Sequence, residues 1–215
     1  MSVVMNEGRE FNLLIAGVGG QGTITASHVI GKAVLSSGLN FIIGEIFGMS
    51  MRGGPVLSHL RMGNVDFSPI TPKGKGDVLL GFEPMESLRA ATKYLCPGGI
   101  VIANTKRHCP IDISLGNYIY PPIDILLKDL EKIGKLISFD ATSIAKEAGN
   151  VVATNMVMVG ALVGTDLLPI PLPKVIKAIE ETVTPRGVEV SLKAFNMGLE
   201  IYKKLSKEKH MENNL

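Results

Sequence analysis

The stretch Asn12-Leu-Leu-Ile-Ala-Gly17, running directly into Val18-Gly-Gly-Gln-Gly22, decides how the rest of the chain is read. A short continuous apolar run closed by glycine is the pattern of a parallel strand covered on both faces. The spacing after Gly22 turns helical, with Ile24, His28 and Leu35 among small residues until Gly38. Strand, glycine turn and helix together open an α/β unit.

Outward from that unit, the pattern predicts strands at 40–46, 56–62 and 77–81 and a helix from Pro84 to Tyr94. Pro97-Gly98-Gly99 reads as a turn into a strand from Ile100 to Asn104. A short strand at 117–120, a helix from Ile123 to Ile133 and a late strand from Ile137 to Asp140 follow, with Ser143 capping a short helix. Helices over 155–168, 174–182 and 188–205 complete a helical C-terminal third, and the polar tail 206–215 is expected to fray. Alternating strands and helices imply an open, mostly parallel, doubly wound (Rossmann-like) sheet. No linker or internal repeat divides it, so residues 1–215 form a single domain with a core over about 12–204.

Composition agrees. The 215 residues are 46% hydrophobic, 20% charged and 5% aromatic, the profile of a packed α/β domain. Lys and Arg number 22 against 20 Asp and Glu, a net charge of +2 that gives no field for collecting nucleic acid. The two cysteines, Cys96 and Cys109, exclude a disulfide scaffold and cannot ligate a four-cysteine cluster. The four histidines are scattered without ligand spacing, so no metal site is expected. The charge-free runs 11–31 and 148–165 are broken by glycines and by Asn150, Thr154 and Asn155, and no cleavable leader precedes them. A cytoplasmic protein without a membrane segment is the expectation.

Gly17, Gly19 and Gly22 satisfy G-x-G-x-x-G between a strand and a helix. Such glycines let the backbone approach a pyrophosphate at the helix N-terminus, and they equally serve close strand–helix packing. No lysine follows, which excludes a Walker A loop. Glu45, at the end of the second strand, is either a ribose ligand or a loop carboxylate. In the loop Gly48-Met-Ser-Met-Arg52-Gly-Gly-Pro55, Arg52 and the backbone donors around it can cradle an anion.

Taken in order, Gly17-Val-Gly-Gly-Gln-Gly22, Met51-Arg-Gly-Gly54 and Ser58-His-Leu-Arg61 resemble the gamma-type subunit family of 2-oxoacid:ferredoxin oxidoreductases. Asp77-Val-Leu-Leu-Gly-Phe-Glu83 and Asn155-Met-Val-Met-Val-Gly-Ala161 extend the resemblance over roughly Asn12 to Lys204. Within that family the chain is most similar to the small (beta) subunits of the indolepyruvate branch. The resemblance implies one subunit of an enzyme that oxidatively decarboxylates aryl 2-oxoacids to aryl-acetyl-CoA and reduces ferredoxin. It places thiamine diphosphate, magnesium and 4Fe-4S clusters on a large (alpha) partner subunit, and leaves this chain inactive alone, with no catalytic or metal-binding side chain. A share of the coenzyme A site would fall to Gly17, Gly19, Gly20, Gln21, Gly22, Ser50, Arg52, Gly53 and Gly54. The alternatives are a free-standing NAD(P)-binding oxidoreductase and a non-catalytic nucleotide-binding module.

Three further expectations concern single features. His59 and Arg61 share a strand face, as paired surface polarity or as the lining of a cleft. Asn155 caps the helix that it begins, whose Gly160 and Gly164 allow close helix packing and make it the candidate contact with the large subunit. A mean hydropathy of +0.27 points the same way, towards an apolar interface, and self-association is a further possibility.

Overall fold

The computed structural model describes residues 10–48, 53–63, 68–108, 119–168 and 170–212. β1 (Phe11–Val18) leads into α1 (Thr23–Ser36), then β2 (Phe41–Phe47), β3 (Pro55–Met62) and β4 (Gly76–Gly81). α2 (Pro84–Tyr94), β5 (Leu95–Asn104), α3 (Ile123–Ile133) and β6 (Lys135–Phe139) follow. The chain ends in α4 (Ala141–Ala148), α5 (Thr154–Val163), α6 (Leu172–Thr182) and α7 (Val188–Glu212).

The six strands form one sheet in the order β2-β3-β1-β4-β5-β6. β1, β4, β5 and β6 run parallel, and β3 runs antiparallel to both β1 and β2. A short connection between β2 and β3 leaves no room for a crossover helix, so β3 must return antiparallel. Every residue of β1 is buried, as its central place in the sheet requires. One face carries α1 and α4 to α7 around Leu13, Ile15, Leu60, Val78 and Leu80. The other carries α2 and α3 around Leu14, Leu79 and Val101. α1 and α2, which follow the neighbouring strands β1 and β4, thus lie on opposite faces. That makes the β1/β4 junction the switch point at which such sheets bind ligands.

Several local expectations are corrected. Pro97-Gly98-Gly99 lies inside β5, where the register shifts between the Gly76 and Val78 pairings, so the turn is an irregularity within the strand. Residues 117 and 118 lie outside the described residues, and Ile119 and Tyr120 are not in a strand. Asp140, not Ser143, caps α4, accepting from the Ser143 N–H at 2.8 Å and from its hydroxyl at 2.8 Å. α5 stops at Val163, and α7 runs on to Glu212, because the Lys- and Glu-rich segment beyond Leu205 has strong helix propensity and extends an anchored helix. Asn155 sits one residue inside α5 and accepts from the Met156 N–H, while Ala153 holds the cap position.

α5 is buried on all sides, with Met156, Val157, Met158, Val159 and Leu162 at 0% exposure. It packs on α7 of the same chain, which removes it as a contact for a partner. No helix among the described residues is long and apolar enough to cross a membrane.

Candidate functional site

The switch-point crevice opens beyond the C-terminal ends of β1, β4 and β5. Two glycine stretches meet there. The Gly19 N–H donates to the Gly54 carbonyl at 2.8 Å, and the Gly53 N–H returns to the Gly19 carbonyl at 3.1 Å. Gln21 closes the turn from inside: its Oε1 accepts from the Val18 N–H at 2.9 Å and its Nε2 donates to the Phe82 carbonyl at 3.1 Å. The side chain therefore staples the end of β1 to the end of β4. Gly22 holds a left-handed φ of 78° at the start of α1, and a Cβ there would lie 2.6 Å from the Asn155 amide nitrogen. Glycine at this position is required on both counts.

These contacts redistribute the expected roles. Gly17 is crowded by Gln21, Phe82 and Thr23 and serves packing. The N–H groups of Gly19 and Gly53 are already committed to backbone partners. Gly20 and Gln21 line the open cleft. Ser50 and Arg52 lie outside the described residues, although Gly53, beside Arg52 in sequence, is tied to the first turn. Glu45 is not at this turn. β3 lies between β1 and β2, and the Glu45 carboxylate accepts from the Ser27 hydroxyl at 3.2 Å.

Among the described residues, the charge in the cleft comes from residues that motif reading missed. Lys106, Arg107 and His108 follow β5 after Thr105 and line a cavity of about 270 Å³ with Gly20, Gln21, Thr142 and Thr154. α1 begins above it with no side-chain cap and no acidic residue in its first turn, leaving the partial positive charge of the helix uncompensated. Three consecutive basic residues at the C-terminal end of a strand were the available signal.

Asn104 fixes where that segment starts. Its Nδ2 donates to the Phe82 carbonyl at 3.2 Å and to the Thr142 hydroxyl at 3.1 Å. Its Oδ1 accepts from the Ala141 N–H at 3.0 Å and the Lys106 N–H at 3.2 Å. Glu83, fully buried, caps α2 by accepting from the Glu86 N–H at 2.9 Å, and it also accepts from the Tyr120 hydroxyl. Burial pushes its carboxyl above the usual range, and the bonds from Tyr120 and the backbone oppose the rise. The Arg107 guanidinium lies 4.4 Å from the centre of the Tyr120 ring.

On the other face of the sheet, His59 and Arg61 are at 0% and 3% exposure, which corrects both the surface and the cleft expectation. His59 accepts from the Thr71 N–H at 3.3 Å and meets the Tyr94 ring edge-on. Burial, with Lys93 and Arg61 nearby, lowers its pKa to about 4. Arg61 binds the Asn12 side chain at 2.9 Å and pairs with Glu10 at 2.5 Å. Cys96 is half-buried in β5, and Cys109 lies outside the described residues. No group of three or more His, Cys, Asp or Glu among the described residues is placed to hold a metal.

A family model described as pyruvate ferredoxin/flavodoxin oxidoreductase matches residues 12–201. The chain is 40% identical over 199 residues to the indolepyruvate oxidoreductase subunit IorB of Pyrococcus horikoshii, across 92% of this chain and 98% of that one. Its fold matches pyruvate oxidoreductase subunit PORC of Thermotoga maritima with a TM-score of 0.67 at 24% identity, over 89% of this chain and 96% of that one. It also matches 2-oxoglutarate:ferredoxin oxidoreductase of Magnetococcus marinus, solved with coenzyme A bound, with a TM-score of 0.69 at 19% identity. That match spans 92% of this chain and 32% of the larger one.

Proposed function

This chain belongs to the pyruvate ferredoxin/flavodoxin oxidoreductase family, and we propose that it serves there as the small subunit of a cytoplasmic indolepyruvate:ferredoxin oxidoreductase. The match to the Pyrococcus horikoshii subunit, 40% identical across 92% of this chain, carries the reading. It takes in both glycine stretches, the basic segment after β5 and the helical layer. The reaction converts an aryl 2-oxoacid and coenzyme A to aryl-acetyl-CoA and carbon dioxide, with ferredoxin taking the electrons. Thiamine diphosphate and iron–sulfur clusters, which supply the decarboxylation and electron transfer when bound, sit on a large partner subunit.

This chain's own contribution is to bind and orient coenzyme A. The phosphates are highly charged, and the cleft offers Lys106, Arg107 and His108 opposite Gly20 and the uncapped start of α1. A charge-assisted contact is roughly twice as strong as a neutral one, and a partly enclosed cleft strengthens it further. We propose Arg52, next in sequence to Gly53, as a further anion contact.

Co-expression with the large subunit tests the reading. The pair should co-purify and reduce ferredoxin with indolepyruvate and coenzyme A, and this chain alone should be inactive. A large subunit equally active without this chain rejects the proposal. NAD(P)H-linked turnover by the isolated chain would favour the free-standing dehydrogenase.

A further inference from the structure

The two ends of the sheet are built differently. β6 is short and opens with the exposed, charged Lys135, a common protection for an unpaired edge. β2, at the other end, has no lysine or proline, and its single charge, Glu45, is held by Ser27. Ile46 and Phe47 are 42% and 50% exposed. An apolar edge of this kind templates the addition of another strand.

The sequence of the edge names the strand that fits. Phe41-Ile-Ile-Gly-Glu-Ile-Phe47 reads almost identically in both directions about Gly44. An antiparallel copy centred on Gly44 places Phe41 opposite Phe47, Ile42 opposite Ile46, and Gly44 opposite itself. The backbone agrees with this register. The Gly63 N–H donates to Asn40 and the Gly48 N–H to Pro55, so by alternation the even-numbered residues of β2 bond to β3. The N–H and C=O groups of Phe41, Ile43, Glu45 and Phe47 point outward. Those are the residues that a copy centred on Gly44 pairs with one another, Phe41 with Phe47 and Ile43 with Glu45.

We infer that β2 is a self-pairing edge: two copies of this chain join β2 to β2 about a two-fold axis through Gly44, extending each sheet into the other. The axis is perpendicular to the sheet, so the α1 layers of both copies share one face. This interface uses no residue of the coenzyme A cleft and does not depend on its assignment.

Sedimentation equilibrium of the full chain, alone and with the large subunit, tests the inference together with disulfide trapping. The wild-type chain should form a dimer. Ile46→Lys brings a charge opposite Ile42 of each copy and should weaken self-association by about a hundredfold or more, without loss of thermal stability. For trapping, Ile42→Cys and Ile46→Cys chains are prepared separately in a Cys96→Ser, Cys109→Ser background. Their mixture should cross-link on oxidation, because the register puts the two positions in a non-hydrogen-bonded pair about 4.5 Å apart at Cα. Neither chain alone should cross-link, since each position then faces its own copy at about 13 Å. A monomer at about 100 μM, a dimer indifferent to Ile46→Lys, or cross-linking without the mixture overturns the inference. Release of the large subunit by Ile46→Lys with self-association intact overturns it too, and assigns the edge to that subunit.

Discussion

Gly160 of α5 and Gly198 of α7 face each other where the two helices touch backbone to backbone. A Cβ on Gly160 would lie 1.9 Å from the Phe195 carbonyl oxygen, and one on Gly198 would lie 1.9 Å from that of Val157. Inside a helix, Gly→Ala ordinarily stabilises by up to about 1 kcal/mol. Here forced separation of two buried helices outweighs that gain. Gly160→Ala and Gly198→Ala should each cost about 3 kcal/mol, lowering Tm by roughly 6–12 °C in thermal unfolding.

Gln21 is expected to act as a structural staple. Removing its side chain leaves the buried Val18 N–H without its acceptor and the Phe82 carbonyl with one donor fewer. Gln21→Ala and Gln21→Met should both lower stability by about 1–3 kcal/mol in urea unfolding. Similar losses in the two variants show that the bonds, rather than the side-chain volume, are responsible.

His59 gives the fold a defined pH dependence. Its folded pKa, about 4, lies below the ordinary value of 6.5, so the unfolded chain binds the proton more readily. The stability due to neutral His59 is complete above pH 6.5 and is lost as pH falls towards 4. Between pH 7.5 and 5 the loss should reach roughly 2 kcal/mol. Glu83, whose pKa is raised, acts in the opposite sense as it takes up a proton in the folded state. The decisive comparison is therefore with His59→Gln, which should remove the His59 part of the slope in urea titrations at the two pH values.

Much of this architecture is legible in the sequence because it rests on local signals. The apolar run before Gly17, Gly38 after α1 and Pro84 at the start of α2 sit where the pattern places them. What escapes is non-local. Nothing near residues 56–62 says that β3 inserts between β1 and β2, since that position is set by pairing to both. Alternation puts His59 and Arg61 on one face, but burial comes from Thr71, Tyr94 and Ser68, which other segments bring. The glycine motif lies at the C-terminal end of β1, beside the β1/β4 junction. The Gly19 N–H goes to Gly54 and the Gly53 N–H to Gly19 because the second stretch folds onto the first. Among the described residues the charge there is supplied by Lys106 to His108, anchored by an asparagine whose partners lie far away in the sequence.

Coenzyme A binding by the cleft is read from the coenzyme A dependence of the assembled enzyme, measured with wild-type chain and with Lys106→Ala. Lys106 is exposed at the mouth of the cleft, so its loss should leave folding and assembly intact. A charged contact to a phosphate contributes roughly 1.5–3 kcal/mol. The KM for coenzyme A should rise about ten- to a hundredfold, with kcat and the KM for indolepyruvate nearly unchanged. An unchanged KM for coenzyme A in an intact complex would contradict binding by the cleft.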